Sequence, residues 1–221
     1  MNLAKHRDII DPVYDVTEPI HIIGCGAIGS RLAEMLTRLG LPELHLYDFD
    51  VVEPPNITNQ LFLHNQLGIE KTTALANILH QINPEVILYL HEKYEEQPLR
   101  GYIFMCVDNI ETRQLIVENN KYNTNIKTIF DFRMGLYDAQ TYTANWNSEK
   151  KKKFLMQSMD FTHEEAAQNV PKSPCGTVLS VAPTICTIVS IGIINFLKTV
   201  KNIETDSLIS INLYTANIIT I

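Results

Sequence analysis

A chain of 221 residues, 45% apolar and 19% charged, carries enough apolar material for one large domain or two small ones, which excludes a disordered or coiled-coil protein. Eighteen Lys plus Arg against twenty-five Asp plus Glu leave a net charge of −7, which excludes a broad surface for nucleic-acid backbones. The first nineteen residues contain no apolar block of signal length, so an intracellular, cytoplasmic protein is expected. Cys25, Cys106, Cys175 and Cys186 form no C-x-x-C pair, so neither a disulfide framework nor a four-cysteine zinc site is expected. The lysine run 150–153 reads as a solvated loop or helix start.

In chain order, Ile20–Ile23 reads as a short buried strand, followed at once by Gly24-Cys25-Gly26-Ala27-Ile28-Gly29 and a helical pattern through Leu32, Met35, Leu36 and Leu39. Gly40 closes that helix, and Glu43–Tyr47 makes a second strand ending at Asp48. Residues 50–60, with two prolines and two asparagines, predict an ordered surface loop without regular structure. A helix is predicted over Lys71–Ile82, strands over 86–90 and 102–107, a helix over Ile110–Asn119, and strands over 128–132 and 136–146. This alternation predicts an α/β fold: a Rossmann-like, doubly wound, mostly parallel sheet flanked by helices, forming a single domain over 1–221.

Residues 148–172 are polar and predict a mobile crossover or short helices. The apolar stretch 178–200 is interrupted by Pro183 and carries Thr184, Thr187, Ser190, Asn195 and Lys198, so it reads as part of a buried core helix over 176–199 rather than a membrane span. Residues 207–214 and 217–221 predict a terminal antiparallel hairpin around Thr215-Ala216.

The glycine turn is the first site signal. Gly24 permits a tight bend, Gly26 lets a phosphate approach the backbone, and Gly29 lets helix and strand pack closely, with the phosphate resting on the helix N-terminus that Ala27 begins. Asp48, at the end of the next strand, is placed to accept hydrogen bonds from a ribose hydroxyl. These residues point to nucleotide binding without saying which nucleotide.

The stretch 48–60, Asp48-Phe49-Asp50-Val51-Val52-Glu53 through Asn56, Asn59 and Gln60, resembles the D-x-D-x-V-E-x-x-N-x-x-R-Q signature of the ThiF/MoeB family, adenylating enzymes related to ubiquitin-activating enzymes. Gly68-Ile69-Glu70-Lys71 is similar to that family's G-x-x-K, Ile82-Asn83-Pro84 to its I-N-P, and Asp108-Asn109 with Thr112-Arg113 to its D-N-x-x-T-R. Cys175 and Ala182-Pro183 resemble the cysteine and (A/G)-P near its last helix. The resemblance implies an adenylyltransferase that uses ATP and Mg2+ to activate the C-terminal carboxylate of a small ubiquitin-like or sulfur-carrier protein, working as a homodimer. The acidic charge and the interrupted apolar stretch 178–200 argue against a nucleic-acid or membrane partner.

The chemistry asks for few side chains. Joining a carboxylate to the α-phosphate of ATP needs three phosphates held, charge neutralised and a divalent cation placed. Lys71, at a helix start, can set an ammonium on the phosphates, or be a solvated first-turn lysine. Asp108, at a strand end, can hold magnesium or ribose, or cap the following helix. Asn56 and Gln60 offer amides to the nucleotide, or only close a turn, and Asp50 orients the loop or meets metal through water. Cys175, in a Pro-Cys-Gly turn, reads either as a nucleophile toward the acyl adenylate or as a small buried side chain.

Two departures from the family pattern stand out. Asn59 replaces the usual arginine before Gln60, with Arg133 the leading substitute cation and Arg7 the one N-terminal arginine that a second subunit could donate. The zinc-binding C-x-x-C pairs of many members are missing. Asn59 keeps open a catalytically weak partner subunit of a heterodimeric activating enzyme, and the glycine turn with Asp48 alone would also permit an NAD-dependent oxidoreductase.

Overall fold

The computed structural model describes residues 1–162, 164–165 and 179–221. After a short helix α1 (Pro12–Asp15), the chain forms β1 (Ile20–Ile23), α2 (Ala27–Arg38), β2 (Glu43–Tyr47), α3 (Lys71–Ile82), β3 (Ile87–His91), β4 (Gly101–Met105) and α4 (Ile110–Asn119). There follow β5 (Ile126–Met134), β6 (Asp138–Asn145), α5 (Glu149–Gln157), α6 (Ala182–Val200), β7 (Leu208–Asn212) and β8 (Asn217–Thr220). The eight strands make one sheet in the order β3-β2-β1-β4-β5-β6-β7-β8. Pairing is parallel from β3 to β5 and antiparallel from β5 to β8, which is the mixed, doubly wound sheet that the sequence predicts.

Strand alternation sends Ile22, Phe104, Phe130 and Phe132 to one face, where α2, α3 and α6 bury Leu32, Leu36, Leu75, Ile188 and Phe196. Ile23, Ile103, Met105 and Ile129 face the other way and meet Ile116 and Val117 of α4 and Leu155 of α5. β4, flanked on both faces, is buried along its whole length, which is why it reads as an unbroken apolar run.

Several boundaries depart from the sequence reading, each for a local reason. Loop 50–60 is not wholly irregular, because Pro54–Thr58 forms a 3-10 turn with proline in its first positions. β4 ends at Met105, two residues short of the predicted end, since the chain bends away after Cys106 N–H donates to the Ile23 carbonyl at 2.8 Å. Within crossover 148–172, α5 is one of the short helices expected there; it opens on the lysine run, and its N-cap Ser148 accepts from Lys151 N–H. The lysine run is not wholly solvated either, because Lys152 is buried over the Trp146 ring and donates to Lys121 O at 3.0 Å. α6 begins at Ala182 rather than near 176, with Pro183 in its first turn, where a missing N–H is harmless.

α6 is long and apolar enough to cross a membrane by length and composition, yet it lies on the sheet. Gly192 is where it comes closest, since a Cβ there would meet the Phe132 ring at 2.2 Å. Asn195, on the same buried face, donates to Thr143 Oγ1 at 3.0 Å.

On the face opposite α2, His21, His45, Tyr47, Tyr89 and His91 stack across β1, β2 and β3. His21 is 4% exposed, and its Nδ1 meets Tyr47 Oη at 2.9 Å. Burial, reinforced by the neighbouring His45 and His91, holds its pKa down from 6.5 to about 3. The unfolded chain therefore takes up a proton below pH 6.5 that the folded chain refuses, and stability falls as pH drops from there toward 3. Between pH 7 and pH 5 the wild type should lose about 2 kcal/mol more than His21→Phe in urea unfolding, the phenylalanine variant lacking this titration.

Candidate nucleotide site

In the parallel part of the sheet the chain winds outward in opposite directions from β1 and β4, so a crevice opens at their carboxyl ends. Gly24, just past β1, has φ +96°, and a Cβ on it would lie 2.8 Å from the backbone of Cys106 past β4. A Cβ on Gly29 would lie 1.8 Å from Gly24 O, so only glycine lets α2 settle on the turn. At Gly26 the reverse holds, because nothing lies within 4 Å of an added Cβ. Gly26 is the N-cap of α2 and caps no amide with a side chain, so the first-turn N–H groups face that open space with the helix's positive end. Gly24 and Gly29 thus stand at the tight bend and close packing that the sequence predicts, Gly26 borders open space, and Ala27 is the first residue of the helix.

Asp48 is tied to this turn by both carboxylate oxygens: Cys25 N–H donates to Oδ2 at 2.7 Å and Asp50 N–H to Oδ1 at 2.9 Å. Burial raises its pKa, opposed by the nearby Lys71 ammonium and the two backbone donors. Lys71 is not a solvated first-turn lysine, since it is 7% exposed and its Nζ donates to Asp50 Oδ2 at 2.7 Å. Its own N–H donates to Asp50 O at 2.9 Å, so Asp50 holds both ends of the residue. Asp50 is half exposed, and the ammonium sits close enough to Asp48 and Cys25 to act on both.

Asn56 Oδ1 accepts from Glu53 N–H at 2.8 Å and closes the 3-10 turn, so part of its amide serves local structure. Gln60 N–H donates to Asn56 O, and its carbonyl accepts from Arg31 Nη2 of α2 at 3.4 Å. Asn59 Nδ2 donates to Ser180 Oγ at 2.5 Å, tying the loop to the segment ahead of α6.

Asp108 stands exposed beyond β4, and Asn109, not Asp108, caps α4 by accepting from Thr112 N–H at 2.8 Å. The capping alternative for Asp108 is thereby removed. Arg113 stiffens the turn that bears Asp108, donating to Val107 O and to Phe132 O while pairing with the fully buried Asp131. Arg133 shares Asp131 through Nε at 2.8 Å and gives its other nitrogens to Ser158 O and Oγ. Its guanidinium also lies 4.4 Å from the Tyr142 ring centroid, so the offered substitute cation clamps α5 to the sheet. Asp131 was missed from sequence, although an acid inside the apolar run Ile129-Phe130-Asp131-Phe132 signals a buried cationic partner. Burial pushes the thiols of Cys25 and Cys106 up, leaving them protonated at neutral pH. Cys175 lies outside the described residues.

A doubly wound sheet with an open glycine turn at its crevice, a strand-end acid beside it and a buried lysine paired across the loop defines a Rossmann-like class of α/β protein. The sequence profile of the ThiF family matches residues 17–220, and the chain belongs to that family. Among curated relatives, a ubiquitin-like modifier-activating enzyme 5 from Drosophila mojavensis is 34% identical over 136 residues, covering 52% of this chain and 33% of the relative. Its namesake from Rattus norvegicus is 35% identical over 120 residues, covering 45% and 30%. The one from Arabidopsis thaliana is 46% identical over 85 residues, covering 38% and 20%. The chain thus spans about a third or less of the relatives it matches. Two solved structures share the fold: E. coli MccB with ATP, at TM-score 0.72 and 15% identity over 93% of this chain and 63% of that one, and E. coli tRNA N6-threonylcarbamoyladenosine dehydratase, at 0.62 and 18% over 84% and 87%.

The two glycines differ in what a methyl group would do, and urea unfolding separates them. Gly29→Ala should destabilise the chain by several kcal/mol, since backbone must move to admit the Cβ, whereas Gly26→Ala should lose only about 1 kcal/mol as an N-cap change.

Proposed function

We propose that the chain is an ATP-dependent adenylyltransferase that activates the C-terminal carboxylate of a small ubiquitin-like or sulfur-carrier protein as an acyl adenylate. The observation that carries this reading is the open space at Gly26, with the α2 N-terminus behind it and Lys71 buried beside it. A nucleotide alone would need the turn and Asp48. A transferable triphosphate also needs a cation that can be drawn to it, and Lys71 meets that need.

In this reading the phosphates rest on the first-turn amides of α2, and Lys71 exchanges Asp50 for a phosphate oxygen. Asp48, fixed by Cys25 and Asp50 amides, turns its remaining lone pairs to the ribose. Asp108, exposed and free of a capping duty, has the hard oxygen donors that Mg2+ takes. Magnesium, when bound, would neutralise charge growing on the departing pyrophosphate. The partner's carboxylate oxygen attacks the α-phosphorus, the bond from that phosphorus to the bridging oxygen breaks, and pyrophosphate leaves with the electron pair. The nucleophile is already ionised, so no general base is required, and these residues act by position and charge. Attack of Cys175 on the adenylate would be a later, separate step.

Asn59 favours a second reading, a catalytically weak subunit that completes a heterodimer, because a neutral amide committed to Ser180 replaces a family cation. An oxidoreductase would leave the buried Lys71 without a task. Arg7 is exposed and lies 3.6 Å from Asp11, so it too is open to a role across a subunit boundary in the proposed homodimer.

ATP–pyrophosphate exchange with a candidate β-grasp partner tests the reading. Wild type should exchange label, and Asp108→Asn should lower the rate by about 100-fold or more without lowering thermal stability, the side chain being exposed. ATP binding with no exchange would instead favour the subunit reading.

A further inference from the structure

The loop lacks an arginine at Asn59, and the expected substitute Arg133 is engaged by Asp131 and Ser158. Another cation touches the same loop. Arg31 lies on α2, four residues and hence one turn beyond Ala27, and helical side chains lean toward their helix N-terminus. A side chain leaning that way covers the turn N-terminal to its own Cα, which here is the turn that starts at Gly26. Ser30 Oγ accepts from Leu61 N–H at 3.2 Å and Arg31 Nη2 donates to Gln60 O at 3.4 Å, so the loop is held on this face of α2.

Two polar atoms at this contact have no hydrogen-bond partner among the described residues: Arg31 Nε and Gln60 Oε1, both buried. Buried polar atoms are seldom left so, and a donor and an acceptor lacking partners at one loop point to a polar ligand that completes them. The remaining tie of Arg31 is weak. Glu34 Oε2 lies 3.7 Å from Nη1, and the other oxygen of that carboxylate is taken by Arg38 at 3.0 Å.

We propose that Arg31 supplies the cation missing at Asn59, binding the outer phosphates of ATP from the α2 side of the crevice. The proposal rests on the adenylation reading above. It gives the arginine function to a helix residue next to the third glycine, which leaves Asn59 to hold Ser180.

Calorimetric titration with Mg·ATP and with AMP, on the wild type and on variants that retain its melting temperature, tests this. Arg31→Ala should weaken ATP binding by about tenfold or more, the value of one charged hydrogen bond, while AMP affinity changes by less than about twofold. Arg31→Lys should fall between, and adding Asn59→Arg to Arg31→Ala should restore most of the ATP affinity. A merely structural role would weaken both nucleotides alike and would not be rescued from position 59. Equal losses, or an ATP affinity unmoved in Arg31→Ala, overturn the proposal while leaving the adenylation reading intact. A wild type that binds neither nucleotide overturns both.

Discussion

Everything at the crevice depends on one close approach, that of α2 to the turn after β1. Gly29 has no side chain because Gly24 O occupies the place where a Cβ would stand, and Gly24 in turn lies against the backbone past β4. These two contacts fix the helix end relative to β1 and β4 together. With the helix so held, Gly26 faces open space, and the first-turn amides behind it have no side-chain cap among the described residues, the arrangement that an anion at a helix N-terminus uses. The same backbone that is crowded at two glycines is empty at the third, and that contrast is the physical content of the motif.

Around this turn the charges are pre-arranged in pairs rather than left exposed. Asp48 is pinned by two amides, Lys71 is buried against Asp50, and Arg113 with Arg133 share the fully buried Asp131. A buried charge needs a partner, so each of these three cations comes with an acid attached. The pairs differ in exposure. Asp131 is sealed and its arginines brace β5 against α4 and α5, whereas Asp50 is half exposed, as the proposed release of Lys71 to a phosphate requires. Burial of the shared acid thus distinguishes Arg133 from Lys71, where sequence offered both as candidates.

The fold was largely legible because its signals are local. Ile20–Ile23, Glu43–Tyr47, Lys71–Ile82 and Ile110–Asn119 fall where periodicity and punctuation put them, and the glycine spacing implied its own geometry. What stayed hidden depends on contacts between distant residues. Nothing near Lys152 announces that it folds over Trp146 and reaches Lys121 O. Arg133 looked available because its partners, Asp131 two residues away and Ser158 just past α5, are brought to it by a strand end and a helix end. Arg31 went unread because its significance lies in the Gln60 carbonyl, twenty-nine residues along the chain. That the cap of α4 belongs to Asn109 and not to Asp108 is likewise visible only in the hydrogen bond from Thr112 N–H.

Under the proposed function, the α2 turn at Gly26 cradles the phosphates and Lys71 changes partner to meet them. A structure of the chain with Mg2+ and a non-hydrolysable ATP analogue decides this. A phosphate is expected within hydrogen-bond distance of the first-turn amides of α2, with Lys71 Nζ on a phosphate oxygen and no longer 2.7 Å from Asp50 Oδ2. A nucleotide bound away from Gly26, with the Lys71–Asp50 pair intact, would overturn both points.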